Sequence, residues 1–155
     1  MLIVSNLANR QALEAETLLE SAYRLWLPVN HPLLELGSIA VGEMAQQPLV
    51  TLKLDELEDV ATALWRSQGL RPTMAVRTSS VEGLRSLVAT GAGLAVMPDL
   101  LYRPWSLDGD RLEVRQLMEK TPSLQVGLAW RRGAKVAETA QNFLTVAREY
   151  TRNHN

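Results

Sequence analysis

The chain has 155 residues, 46% of them hydrophobic, which is enough apolar material for the core of one ordinary domain or two small lobes. It carries 16 basic and 17 acidic residues and therefore has no cationic excess for binding a nucleic-acid backbone. Cysteine is absent and histidine occurs only at His31 and His154, so we expect no disulfide, no metal site and no cofactor. No apolar run approaches the roughly 20 residues that cross a bilayer, and residues 1–6 lack signal-peptide character, which predicts a cytoplasmic protein without membrane contact.

The first third of the chain contains short apolar runs separated by polar loops. Residues 2–4 predict a strand that stops at Ser5 and Asn6. Residues 8–21 are ambiguous, because their alanines and Leu19 recur at helical spacing. The next elements predicted in chain order are a strand over 25–29, a short helix over 39–45 and a compact apolar strand over 49–54.

The rest of the chain alternates more clearly between helix and strand. One helical face carries apolar residues at i, i+3, i+4, i+7 and i+8, namely Leu57, Val60, Ala61, Leu64 and Trp65. A strand over 73–77 precedes a helix that we expect to begin with a capping box, Ser79 as N-cap and Glu82 reaching back. Strands over 94–97, 112–114 and 124–130 and a final amphipathic helix over 136–150 follow. This order predicts an α/β fold with a largely parallel sheet.

Two features invite a cofactor or metal interpretation. The run Gly91-Ala92-Gly93 follows a helix and opens a strand, the reverse of a dinucleotide-binding loop, so we interpret it as a helix C-cap and tight turn. An acidic cluster (Asp55, Glu56, Glu58 and Asp59) could hold a metal, but its place in the first turns of a helix is explained by the helix dipole.

Ser79 and Ser80 are candidates for ligand binding. A helix N-terminus offers free N–H groups to a carboxylate or similar anion, although capping alone also explains a serine there. Polar groups also stand at or after other strand ends, at Ser5-Asn6 and around Thr51-Leu52-Lys53. Such strand ends line the ligand crevice of open α/β sheets. No nucleophile elbow, P-loop or His–carboxylate pair occurs, so we expect no enzyme.

Three stretches of the sequence together resemble the effector-binding domain of LysR-type transcription regulators. The first is Leu-Trp-Leu-Pro-Val-Asn-His-Pro-Leu over residues 25–33. The second and most specific is the helix, glycine turn and proline-terminated strand over residues 79–98. The third is Leu-Ala-Trp-Arg-Arg over residues 128–132, before the last helix.

The resemblance implies a fold like that of type II periplasmic binding proteins, in which two α/β lobes hold a ligand between them. Residues 28–117 would form a complete, Rossmann-like second lobe, and residues 1–27 and 118–155 a partial first lobe. The family's opening strands and helices and its winged helix-turn-helix have no counterpart here. DNA would therefore be contacted only through a helix-turn-helix outside this sequence.

The resemblance also implies a function and a site. The chain would sense a small metabolite, expected to be anionic because a lysine and a helix N-terminus face it. Its ligand-binding residues would be Ser5 and Asn6 on the first lobe, and Thr51, Leu52, Lys53, Ser79 and Ser80 on the second.

Two other functions stay open, and one assembly is expected. A periplasmic-type solute-binding protein could share the fold, and a small α/β enzyme is the weaker alternative, since no acid, base or nucleophile set is found. Unpaired strand edges and apolar faces on the partial lobe predict a homo-oligomer, a dimer formed through that lobe.

Overall fold

The computed structural model describes residues 2–5 and 12–154, with only the backbone described for residues 2–5, 55, 56 and 154. Its strands are β1 (Leu2–Ser5), β2 (Leu13–Ser21), β3 (Tyr23–Pro28), β4 (Ser38–Ile39), β5 (Leu49–Leu52), β6 (Met74–Thr78), β7 (Ala95–Pro98), β8 (Leu112–Leu117) and β9 (Leu124–Arg131). Its helices are α1 (Val41–Met44), α2 (Asp55–Ser67), α3 (Val81–Ala89) and α4 (Glu138–His154), with short 3₁₀ turns at Pro32–Glu35 and Asp99–Leu101.

The chain divides into two compact units. Unit 1 comprises Met1–Ser21 and Ser123–Asn155, and unit 2 comprises Ala22–Pro122. The assignment of residues 28–117 to one lobe and of residues 1–27 and 118–155 to the other stays a prediction.

Unit 2 is built on two sheets and a continuous apolar core. One sheet has the order β4-β8-β3-β7, and β5 and β6 form a parallel pair. Among the core residues, Trp26, Leu84, Val88 and Leu112 have no exposed surface, which reflects the apolar stripe of α3 packing on the strands. Arg85 is also buried, and its guanidinium donates to the Leu101 carbonyl at 2.7 Å, pairs with Glu82 and lies 5.6 Å from the Trp26 ring. These partners offset the cost of burying its charge.

Unit 1 is a three-stranded sheet with one long helix. Strand β9 lies in the centre and pairs antiparallel with β1 on one side and with β2 on the other. The β2–β9 register shifts between Thr17 and Leu19, where β2 contains an irregularity. On α4 a row of buried and half-buried residues, Ala140, Leu144, Ala147 and Thr151, recurs at helical spacing.

The glycine run after α3 forms the predicted helix C-cap and turn. Gly91 has a φ of 81°, and the next amide, that of Ala92, donates to the Leu87 carbonyl at 2.9 Å. A Cβ at Gly93 would stand 2.7 Å from the carbonyl oxygen of Pro48. The three residues therefore turn the chain and let β7 approach β5, and they form no nucleotide loop.

Two fold-level expectations need correction. The sheet is mixed and not largely parallel, because β3 runs antiparallel to both β7 and β8 and unit 1 is wholly antiparallel. The ambiguous segment over residues 8–21 is strand from Leu13 onward, since its pairing with β9 decides its structure over local helix propensity. Residues 8–11 lie outside the described residues.

Candidate functional site

The carboxyl ends of β5 and β6 lie side by side in unit 2. The two strands are parallel, with Thr51 opposite Arg77 and Leu52 opposite Thr78. The pairing continues one residue further, where the Lys53 amide donates to the Thr78 carbonyl at 2.7 Å. This brings the segments 51–53 and 78–80 together at one sheet edge, which we call the unit 2 rim. Five of the seven sequence-predicted binding residues lie there.

The N-cap of α3 is Ser80 and not Ser79, so the predicted capping box is wrong. The Ser80 hydroxyl accepts a hydrogen bond from the Gly83 amide at 3.0 Å, and Ser80 has an extended backbone. Because the helix begins at Val81, the residue three positions past the cap is Gly83, which has no side chain to reach back. Glu82 pairs with Arg85 instead.

The correction leaves Ser79 exposed and free of a capping role. Among the described residues, none accepts a hydrogen bond from the amide of Ser79, Val81 or Glu82. Donors of this kind at the positive end of a nine-residue helix favour an anion.

Thr51, Leu52 and Lys53 play three different parts at the unit 2 rim. Lys53 is exposed, so its ammonium group is available to a ligand. The Thr51 hydroxyl donates to the Met74 sulfur at 3.0 Å and is half-buried. The Leu52 side chain is buried in the core, so Leu52 offers a ligand only its backbone.

The two unit 1 candidates are less defined. Ser5 is the last residue of β1, opposite Val126 of β9, so it stands at a strand end as predicted. Asn6 lies outside the described residues.

Thr78 is a member of the unit 2 rim that the sequence analysis missed. Its hydroxyl accepts a hydrogen bond from the Ser80 amide at 3.2 Å and so holds the turn into α3. A Cβ at Gly83 would lie 3.2 Å from this hydroxyl, so the site is closely packed. The unbroken polar run Thr78-Ser79-Ser80 after a strand was the available signal.

The unit 2 rim presents hydrogen-bond donors and one cation, groups that favour an anion. Glu58 of the acidic cluster pairs with Arg77, as a solvated helix face would. Within the described part of the chain, no group of three or more acidic or histidine side chains could hold a metal ion. The side chains of Asp55 and Glu56 are outside it. In the same part of the chain, no helix is both long and apolar enough to span a membrane.

Comparison with known families gives one match over nearly the whole chain. The model of the LysR substrate binding domain matches residues 1–152. Among curated proteins, the HTH-type transcriptional regulator TtuA of Agrobacterium vitis is 30% identical over 89 residues, which are 56% of this chain and 29% of that protein. The chain spans between 25% and 40% of the length of the curated relatives that it matches.

Solved structures share the fold. HinK, a LysR family transcriptional regulator from Pseudomonas aeruginosa, has a TM-score of 0.84 at 20% identity, covering 96% of this chain and 52% of that one. The effector binding domain of QuiR in complex with shikimate has a TM-score of 0.75 at 18% identity, covering 98% of this chain and 71% of that one.

Proposed function

Because the chain belongs to the LysR substrate binding domain family, we propose that it is the effector-sensing domain of a LysR-type transcription regulator. The observation that carries the proposal is the family match over residues 1–152. A sensing role also fits a site that offers hydrogen-bond donors and a cation but no nucleophile–base pair among its residues.

The effector that we propose is a small anionic metabolite held at the unit 2 rim. Lys53 supplies a positive charge, and the first turn of α3 supplies the amides of Ser79, Val81 and Glu82. Thr51 and Thr78 add hydroxyls, and Ser5 and Asn6 remain further candidates from unit 1. Shikimate, the ligand named for QuiR, is itself a carboxylate.

We propose that a separate helix-turn-helix segment of the complete regulator binds DNA and that the effector controls this binding. The matched curated relatives are named HTH-type regulators, and the chain spans at most 40% of their length. The chain itself has 16 basic and 17 acidic residues, so it lacks the electrostatic character of a DNA-binding domain.

Titration calorimetry of the chain with a panel of small carboxylates, beginning with shikimate, tests the effector site. We expect Lys53→Gln to weaken binding of any active carboxylate by roughly tenfold, the loss of one charge-assisted hydrogen bond, and Ser79→Ala, which keeps the Ser79 amide and removes only the hydroxyl, to weaken it less. Lys120→Gln removes an exposed charge of the same kind outside segments 51–53 and 78–80 and should leave the affinity unchanged. Equal affinities for all three variants and the parent chain would show that the rim is not the site.

A further inference from the structure

Unit 2 contains a cavity at the opposite end of α2 from the unit 2 rim. Its volume is about 380 Å³, and its lining residues are Thr62, Trp65, Arg66, Gly69, Leu70 and Arg71. Small-molecule sites in proteins have volumes of about 300–1,000 Å³. Because α2 has 13 residues and rises about 1.5 Å per residue, the two sites are separated by roughly 20 Å. We call this cavity the α2 end cavity.

Two arginines that have no carboxylate partner among the described side chains line the α2 end cavity. Arg66 and Arg71 are both exposed, and neither forms an ion pair with any described side chain. Five other arginines do: Arg24, Arg77, Arg85, Arg111 and Arg148. The planar guanidinium group presents several donors in a geometry that fits carboxylate and phosphate.

The helix end itself does not repel an anion as strongly as an open C-terminus would. The Trp65 carbonyl accepts from the amides of Gln68 at 3.2 Å and Leu70 at 2.9 Å. The Arg66 carbonyl accepts from the Gly69 amide at 3.1 Å, and Gly69 has a φ of 65°. The Leu64 carbonyl accepts from the Ser67 hydroxyl at 2.8 Å. Three of the last four carbonyls of α2 therefore accept hydrogen bonds, which lessens the negative partial charge that an anion would meet at this helix end.

Trp65 and Leu70 supply the apolar part of the remaining wall, beside Thr62. Trp65 is almost entirely buried, so its indole forms a fixed surface, and Leu70 beside it is half-buried. This apolar surface next to the Arg66 and Arg71 guanidinium groups is complementary to a molecule with an oxyanion at one end and an apolar body at the other.

We propose that the α2 end cavity is a second ligand site, which binds the oxyanion of a small carboxylate or phosphate compound through Arg66 and Arg71. The site is separate from the unit 2 rim and does not depend on the function proposed for it. A ligand bound there would contact the C-terminal turn of the helix whose N-terminus follows Lys53.

Nuclear magnetic resonance with benzoate, inorganic phosphate and the neutral benzamide tests the proposal. The reporter is the Trp65 indole N–H signal, identified by its absence in Trp65→Phe. We expect benzoate or phosphate to shift this signal saturably at about 1–10 mM, and benzamide to leave it unchanged. Benzoate binding alone assigns carboxylates with an apolar body, and phosphate binding alone assigns phosphate groups.

Three variants distinguish anion binding at the α2 end cavity from binding at the unit 2 rim and from a general effect of positive charge. Arg66→Gln with Arg71→Gln should weaken anion binding at least about tenfold. Arg103→Gln with Arg152→Gln removes two exposed charges elsewhere, and Lys53→Gln alters the rim, so both should bind like the parent chain. The proposal is wrong if no anion saturates the signal by about 10 mM, if benzamide binds as well as benzoate, or if the Arg66 and Arg71 variant keeps its affinity.

Discussion

At Gly127 the backbone of the neighbouring strand leaves no space for a side chain in the unit 1 sheet. A Cβ there would stand 2.1 Å from the Glu16 carbonyl oxygen and 2.9 Å from Thr17 Cα, both backbone atoms of the neighbouring strand β2. We expect Gly127→Ala to lower the free energy of unfolding by about 2 kcal/mol or more, because β2 must move away. Urea denaturation followed by circular dichroism measures the change.

Gly42 provides the matched control for this substitution. It lies in α1, a Cβ there would meet nothing within 4 Å, and its φ is not positive. Gly42→Ala should be neutral or stabilise by about 0.5–1 kcal/mol, as expected for alanine in a helix. A Gly127→Ala chain as stable as Gly42→Ala would contradict the close approach of β2 and β9.

His31 is the residue at which acid should weaken unit 2. Its Nδ1 accepts a hydrogen bond from the Leu33 amide at 3.2 Å, which requires the neutral ring. Burial lowers the pKa of His31 below the ordinary value of 6.5, and a hydrogen bond with Gln47 opposes the shift in part. The unfolded chain therefore binds more protons between the two pKa values, so stability falls as the pH drops from about 6.5 toward the folded pKa.

The substitution His31→Asn distinguishes the effect of His31 protonation from the effect of its hydrogen bond with the Leu33 amide. His31→Asn keeps an acceptor for the Leu33 amide but does not titrate, so the slope of unfolding free energy between pH 5 and pH 7 should flatten. His154→Asn removes the chain's other histidine and should leave that slope in place. The same slope in both variants would mean that His31 titrates normally.

At the scale of elements, one ion pair fixes α4 on the edge strand β2. Arg148 donates two hydrogen bonds of 2.5 Å to Glu16, from Nε to Oε1 and from a terminal nitrogen to Oε2. The hydrogen bond to Arg148 holds the pKa of Glu16 below its usual value. The ion pair therefore stabilises the folded chain above about pH 4.5, and this stabilisation is lost as the pH falls through the folded pKa of Glu16.

Substitution of Glu16 should therefore weaken the attachment of α4 in a salt-dependent way. Glu16→Gln is expected to lower the melting temperature at low ionic strength, and the difference should shrink as salt screens the pair. Glu20→Gln on the same strand is the control, because the side chains that donate to Glu20 in the described part of the chain are the neutral Gln125 and Ser123. A salt dependence common to both variants would argue against a specific role for the pair.

The elements that the sequence predicts well are those determined by local patterns. The face from Leu57 to Trp65 lies on α2, and the apolar run before Pro98 is β7. Strand β2 was ambiguous because it is defined by its partner β9, more than 100 residues away, and not by its own alternation. The shift of the N-cap from Ser79 to Ser80 is a one-residue boundary, which sequence patterns locate poorly when two serines adjoin.

At the unit 2 rim, too, one part could be predicted from the sequence and another could not. The presence of Thr51, Lys53, Ser79 and Ser80 at one sheet edge follows from the strand order, which the α/β pattern indicates. The part played by Thr78 depends on a side-chain hydrogen bond across one turn, and the burial of Leu52 depends on which face of β5 packs inward. Neither is visible until the strands are in register.

At the scale of the whole molecule, unit 1 exposes the surfaces from which we predicted self-association. Leu128 is buried in the sheet, but Trp130 is only half-buried. On α4, Phe143 is 48% exposed, and Val146 and Tyr150 are each 63% exposed, at positions i, i+3 and i+7 of one helical stripe. Among the described strands, β1 and β2 each pair only with β9, so each presents one edge without a strand partner.

We therefore predict that this chain forms a dimer at micromolar concentration through unit 1, with the Phe143 stripe of one copy against that of the other. A two-fold pairing of antiparallel helices places Phe143 near Tyr150 of the second copy and the two Val146 residues together. Light scattering should give twice the monomer mass, and Phe143→Gln with Val146→Gln should restore the monomer. Asn142→Gln changes an exposed neighbour on the same helix and should remain dimeric. A parent chain that is monomeric at these concentrations, or a double variant that stays dimeric, would exclude this interface.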